Sequence, residues 1–249
     1  MFTRLLIGLD GSADADAALE QALVLGHRFG AKLVVAHVQE HGAWNGEQDS
    51  PILARARERV TGAGLEAEMA LRRGDPDTEL AALATEADAV LVGRRGGTSR
   101  EGELGGTVSS LIKIAERCVI VCGATPSPMS ACAIAFDGRE TSRRALDLVM
   151  RFASIAQSTV HVIHASADRT TGLQVVGEAE AVLSLQGVVF VTHIEAGSPG
   201  EVVARVVART KCDALFAGAH IAPGRTSKVT VSHAEEILRH TDIPVVIQP

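Results

Sequence analysis

A chain of 249 residues has room for one large or two compact domains. Its net charge of −6 speaks against a general nucleic-acid binder, which needs a basic surface, and no apolar run reaches the ~18 residues of a membrane-spanning helix. Hydrophobic residues make up 46% but aromatics only 3%, with no Tyr, so the core must be built from Ala, Val, Leu and Ile, a mixture that suits α/β packing.

The first residues, MFTRLLIGLDGS, lack the layout of a signal peptide, because Asp10 cuts the apolar stretch short. Arg4 to Leu9 reads as a strand ending at Asp10-Gly11-Ser12. Ser12 or Asp14 can cap the helix that follows, whose apolar positions are Ala18, Leu19, Ala22, Leu23, Leu25 and Phe29, and Gly30 closes it. Lys32 to Val38 is a second strand, and 39–49 a polar loop holding Trp44. Ser50 caps a helix with Pro51 at its first position, running to about Ala63. Leu65 to Leu71 is a third strand, Gly74-Asp75-Pro76 a turn, and Asp77 to Ala87 a helix. Ala89 to Val92 is a short buried strand. After a glycine loop, a helix opens at Gly106-Thr107 and ends near Arg117, and Cys118 to Cys122 is the fifth strand. Strands alternating with helices imply a parallel, doubly wound sheet.

GATPSPMS at 123–130 is the clearest linker, and beyond it the pattern restarts. Strands are expected at Ala131–Phe136, Thr159–His164, Val188–Ile194, Ala214–Ala217 and Ile243–Ile247. Helices are expected at Glu140–Ala156, near Gln174–Leu185, at 200–210 and at 231–240. Gly197-Ser198-Pro199 matches the Gly74-Asp75-Pro76 turn. Asp10-Gly11 lies over Asp137-Gly138 and His37 over His164, both 127 residues apart; Asp88 over Asp213 and Gly93 over Gly218 are 125 apart. Such near-constant spacing marks an internal duplication. The domains are therefore placed at 1–123 and 131–249, with 124–130 between them.

The stretch from Asp88 to Ile112 holds the strand, the loop with Gly93, Gly96, Gly97, Gly102 and Gly105, and the helix start. These are the usual parts of a phosphate site: glycines admit close backbone approach, and the first turn of a helix offers unpaired N–H groups and a positive dipole end. Thr107 adds a hydroxyl; Arg94, Arg95 and Arg100 add charge, either as phosphate ligands or as a solvated rim. The same composition would suit a surface loop that merely carries glycines. No Walker motif and no GxGxxG after the first strand occurs. Cys118 and Cys122 fall on one face of one strand, too far apart along it to share a metal, and with Cys132 and Cys212 they read as core thiols in a reducing cytoplasm. His37 and His164 are expected to pack inside, and the Glu178/Glu180 and Glu235/Glu236 pairs to be solvated helix faces.

Gly93-x2-Gly96-x9-Gly106-Thr107 resembles, position for position, the nucleotide motif of the universal stress protein family, Gly-x2-Gly-x9-Gly followed by Ser or Thr. With the strand-terminal Asp10, the Gly-x-Pro turn and the tandem repeat, the whole chain resembles a two-domain member. The resemblance implies two Rossmann-like domains of the adenine nucleotide alpha hydrolase-like type, each a five-stranded parallel sheet of order 3-2-1-4-5 flanked by helices. It also implies ATP, with a divalent cation, at the switch point between strands 1 and 4. Carried over by position, Asp10 and Val38 meet the nucleoside, Gly93 and Gly96 line the ribose-phosphate path, and Gly106, Thr107 and Val108 hold phosphates, with Ser109 as an extra donor. Asp10 could instead, or in addition, cap a helix or brace the loop, and Val38 could be core.

The second half departs from the motif. Gly218 and Asp137 remain, but Ile221 replaces the second glycine, Val231-Ser232 replaces Gly106-Thr107, and Ala165 replaces Val38. Side chains there narrow the approach to phosphates, although His220, Arg225 and Lys228 could still attract an anion. Domain 2 is therefore expected to bind ATP weakly or not at all. With no catalytic base poised at the site, the expectation is a cytoplasmic nucleotide-binding protein of regulatory, stress-linked role. The alternatives are a slow ATP-hydrolysing enzyme and a ligand-free interaction scaffold. Its partners are expected to include an adenine nucleotide and a protein, but neither nucleic acid nor membrane. Family members pair through strand 5, so Val119–Val121 and Val245–Ile247 are expected to pair within the chain as a pseudo-dimer, with a further homodimer open.

Overall fold

The computed structural model describes residues 2–40, 50–97, 104–219 and 233–249, and the chain divides into two compact units, 1–128 and 129–249. In unit 1 the elements are β1 (Arg4–Leu9), α1 (Ala13–Phe29), β2 (Lys32–Gln39), α2 (Pro51–Gly62), β3 (Ala67–Arg73), α3 (Pro76–Ala84), β4 (Ala89–Val92), α4 (Gly106–Ile114) and β5 (Cys118–Val121). In unit 2 they are β6 (Cys132–Ala135), α5 (Glu140–Ala156), β7 (Val160–Ala165), α6 (Arg169–Leu185), β8 (Phe190–Glu195), α7 (Pro199–Thr210), β9 (Ala214–Gly218), α8 (His233–His240) and β10 (Val245–Gln248). No helix among the described residues is long and apolar enough to cross a membrane.

Each unit is an all-parallel sheet in the expected order. Unit 1 runs β3-β2-β1-β4-β5 and unit 2 runs β8-β7-β6-β9-β10. In unit 1, β1 lies between β2 (Leu9 beside His37) and β4 (Ile7 beside Leu91), so the chain reverses its winding there and leaves a crevice at the carboxyl ends of β1 and β4. The central strands are apolar on both faces because helices cover both: Leu5, Leu6, Ile7, Val90, Leu91 and Ile120 are buried. Unit 2 adds an edge-to-face pair, Phe152 and Phe216, with centroids 5.1 Å apart.

The differences from the expected boundaries have local causes. Strand β3 starts at Ala67 because Leu65 is consumed in stopping α2: its N–H bonds Val60 O, the Gly64 N–H bonds Thr61 O, and Gly64 takes φ 72°. Helix α3 gives way after Ala84 to i→i+3 bonds from Thr85, Glu86 and Ala87. Helix α6 begins five residues before Gln174, at Arg169. Asp168 caps it through Thr170 N–H (2.9 Å), a start that Thr170, Thr171 and Gly172 hide from an apolar pattern. Strand β10 starts after Pro244, which has no N–H to give. Glu235 is buried rather than solvated, at the margin of the α8 face that buries Ala234, Ile237 and Leu238; Glu236 Oε1 accepts the Gly200 N–H at the start of α7.

Asp88 and Asp213, repeated in the two halves, staple strand starts. Asp88 Oδ2 accepts the N–H of Thr3 and of Arg4 and the Thr3 hydroxyl; Asp213 accepts the N–H of Ser130 and Ala131. Burial is the largest single influence on the Asp88 pKa and raises it, but the hydrogen bonds together outweigh burial and hold the carboxyl below its ordinary 3.8. The segment after β5 is tied down: Gln21, fully buried in α1, donates to Ser127 O (2.9 Å) and accepts the Ser127 N–H (2.8 Å). All four cysteines are free and buried. Cys122 stands one residue past β5, and burial pushes its pKa up to about 12.

At the edge of the unit 2 sheet, His161 Nδ1 and His193 Nε2 are 3.0 Å apart with their rings stacked. Arg209 contacts His193 Nδ1 (3.3 Å) and Glu195 (2.7 Å), and Arg205 holds the other Glu195 oxygen at 2.8 Å. Because a guanidinium only donates, His193 Nδ1 accepts, its Nε2 carries the hydrogen, and His161 Nδ1 accepts in turn. Burial lowers the pKa of both histidines from 6.5.

Candidate functional site

The crevice of unit 1 is built first by a turn. Past Leu9, Asp10 Oδ1 accepts the Ser12 N–H at 2.9 Å, Gly11 takes φ 84°, and Ser12 caps α1 by accepting the Ala15 N–H. The other Asp10 oxygen accepts the Gly97 N–H at 3.1 Å, so this carboxylate braces the glycine loop. His37 is half-buried rather than enclosed in the core: its Nδ1–H donates to Leu9 O at 2.8 Å, and the ring stands in the cleft wall.

The glycines do different jobs. A Cβ on Gly93 would stand 2.4 Å from the Asp14 carbonyl carbon and 2.7 Å from Ala15 N, so the end of β4 touches the α1 backbone. A Cβ on Gly96 would lie 2.8 Å from Asp10 Oδ2, the oxygen that braces the loop. Among the described residues, a Cβ on Gly106 would meet nothing within 4 Å. Gly106 opens α4, and its N-cap, Gly105, has no side chain with which to occupy the first-turn N–H groups.

Together these parts enclose a cleft of about 400 Å³, within the range of small-ligand sites. Asp10, Val38, Gly93, Gly96, Gly106, Thr107 and Val108 all line it; Ser109, one residue deeper in α4, does not. Val38 is half-buried in its wall. Pro76 and Leu80 close the side under α3, a contribution the sequence signals only as a helix start with an apolar residue one turn on. The arginines part company. Arg95 lines the cleft, with Nε 3.2 Å from Asp14 Oδ2, whereas Arg94 is half-buried and its charge acts on Cys122. Arg100 and Gly102 lie outside the described residues. Among the described residues no group of three or more His, Cys, Asp or Glu side chains could hold a metal ion.

Unit 2 repeats the frame. Asp137 Oδ1 accepts the Arg139 N–H at 3.0 Å, His164 Nδ1–H donates to Phe136 O at 2.8 Å from a half-buried position, and a Cβ on Gly218 would stand 2.5 Å from Ser142 N. The second Asp137 oxygen faces Arg139 Nε at 3.6 Å, and Ala165 stands where unit 1 has Val38. The cleft is smaller, about 270 Å³. His220, Ile221, Arg225, Lys228, Val231 and Ser232, where the motif departs, lie outside the described residues.

The model of the universal stress protein family matches residues 1–122 and 167–249. The chain belongs to the universal stress protein family. A universal stress protein of Synechocystis sp. is 23% identical over 207 residues, which cover 81% of this chain and 72% of that protein. A solved universal stress protein from Archaeoglobus fulgidus is similar along the chain, with a TM-score of 0.81 at 21% identity, covering 98% of this chain and 97% of the other. A protein of unknown function from Pseudomonas aeruginosa is similar at a TM-score of 0.74 and 14% identity, covering 99% and 92%. At these identities the solved structures speak for the fold, and universal stress domains in tandem account for both halves of the chain.

Proposed function

We propose that unit 1 of this universal stress protein binds an adenine nucleotide, ATP accompanied by a divalent cation, and that the bound nucleotide serves a regulatory role in a cytoplasmic stress response. The observation that carries this reading is Gly106: space for a side chain is left open at a helix start inside a cleft, and no atom of the described residues fills it or caps the helix through a side chain. A phosphate chain suits that place, because first-turn N–H groups and the helix dipole favour an anion. Gly106, Thr107 and Val108 would hold phosphates, with Ser109 behind them; Gly93 and Gly96 would flank the ribose-phosphate path; Asp10 and Val38 would face the nucleoside. The cation would arrive with the phosphates, since the carboxylates that touch the glycine loop are already engaged, Asp10 by two N–H bonds and Asp14 by Arg95. Unit 2, with its smaller cleft and altered motif, would bind ATP weakly or not at all.

Native mass spectrometry of the purified protein, before and after Mg-ATP, tests this. One nucleotide per chain, lost in Gly106→Val but retained in a matched substitution on the unit 2 cleft, is expected. Equal occupancy of both halves, or no binding at millimolar ATP, would overturn it.

A further inference from the structure

A cation in the wall of the unit 1 cleft already has a partner. Arg95 lines the cleft beside Gly96 and Gly106, and its Nε lies 3.2 Å from Asp14 Oδ2, the oxygen that also accepts the Arg95 backbone N–H at 3.1 Å. Asp14 belongs to the first turn of α1, whose positive end favours a carboxylate. The Arg95 side chain is 43% exposed and that of Asp14 21%, so water screens the pair and the attraction between them is weak. A phosphate chain offers a guanidinium more negative charge than one carboxylate, and oxygens placed for two parallel N–H bonds. Arg94, by contrast, is half-buried towards Cys122 and does not line the cleft.

We propose that Arg95 and Asp14 form an anion-exchange pair that sets how strongly the cleft prefers a nucleotide with many phosphates over one with few. Arg95 turns from Asp14 to the phosphate chain when a polyanion enters. Asp14 competes for Arg95, and its own charge works against the incoming phosphates. The two residues therefore act with opposite sign on phosphate-bearing ligands and not at all on an uncharged nucleoside. This rests on the reading that a nucleoside phosphate occupies the cleft.

Calorimetric titration of the whole protein with adenosine, AMP and Mg-ATP separates the possibilities. Arg95→Ala is expected to weaken ATP about tenfold, AMP less, and adenosine not at all. Arg95→Lys should recover part of the loss. Asp14→Asn, which keeps an acceptor for the Arg95 N–H, should tighten ATP several-fold and leave adenosine unchanged. Equal weakening of adenosine and ATP by Arg95→Ala would make Arg95 a loop brace and overturn the proposal, as would weaker ATP binding by Asp14→Asn. A wild-type protein that bound none of the three ligands would overturn the nucleotide reading itself, which sets that failure apart from the other two.

Discussion

Unit 1 and unit 2 hold an aspartate and a histidine in nearly the same geometry and differ in what faces the cleft. Asp10 and Asp137 accept the N–H two residues on at 2.9 and 3.0 Å, and His37 and His164 each donate to a carbonyl of the first strand at 2.8 Å. Gly93 and Gly218 each press against the helix that follows that strand. The second oxygen of Asp10 braces the glycine loop, whereas that of Asp137 faces Arg139, and the clefts measure about 400 and 270 Å³. The duplication thus acts as an internal control. What both halves keep is explained by the fold, so a repeated motif residue is no argument for a ligand; Gly106, which only unit 1 has, is the informative one.

The largest test of that division is Gly93→Ala beside Gly106→Val. A Cβ at Gly93 collides with backbone, so urea unfolding should show a loss on the order of 3 kcal/mol; Gly218→Ala should behave alike in unit 2. Gly106→Val should stay within about 0.5 kcal/mol of wild type, because no described residue stands where its new side chain begins. If Gly93→Ala cost ligand binding and no stability, the first motif glycine would belong to the site and the comparison would fail.

A smaller effect should appear equally in both halves. Asp88→Asn and Asp213→Asn each weaken bonds to strand-start N–H groups, and each should cost about 1–2 kcal/mol at neutral pH. The Asp88 carboxyl titrates below 3.8 in the folded protein, so the folded state binds fewer protons there than the unfolded chain. Its contribution is complete above that value and is lost as the pH falls through the lowered folded value. Thermal unfolding of wild type and Asp88→Asn should therefore converge in acid.

The smallest effect should separate the units. His161 and His193 resist protonation when folded, while the unfolded chain takes up protons near 6.5, so unit 2 should lose stability as the pH drops below that value. Either added proton also removes an acceptor from the Arg209–His193–His161 chain. A scan from about pH 8 to about pH 5 should lower the Tm of wild type by about 1–2 °C more than that of His161→Gln. Parallel pH profiles would show that the pair is only packed, not coupled to the fold.

Much of this was legible in the chain. Asp10, Gly93 and Gly106 come together because strands 1 and 4 are neighbours in this sheet, an order that the resemblance to the family implies and that alternating strands and helices alone do not. Ser12, Ser50, Pro51 and Gly30 announce helix ends through capping chemistry that is local. What the pattern hides is non-local. That Gly93 touches Asp14, that Asp10 reaches Gly97 and that Arg95 pairs with Asp14 while Arg94 turns inward all depend on residues about eighty positions apart. The start of α6 is hidden for the opposite reason, since Thr170, Thr171 and Gly172 are weak helix formers that the Asp168 cap holds in place.

The reciprocal bond between Gln21 and Ser127 fixes where the two halves can be parted. By composition the first half stops at Gly123, yet a polypeptide ending there would leave a fully buried amide with neither donor nor acceptor, and would also free the Arg28 guanidinium from Pro128 O. Anyone wishing to study the first universal stress domain alone should cut between Pro128 and Met129. The longer fragment should be the better expressed and the harder to melt, although its additional residues, Ala124 to Pro128, form no helix or strand.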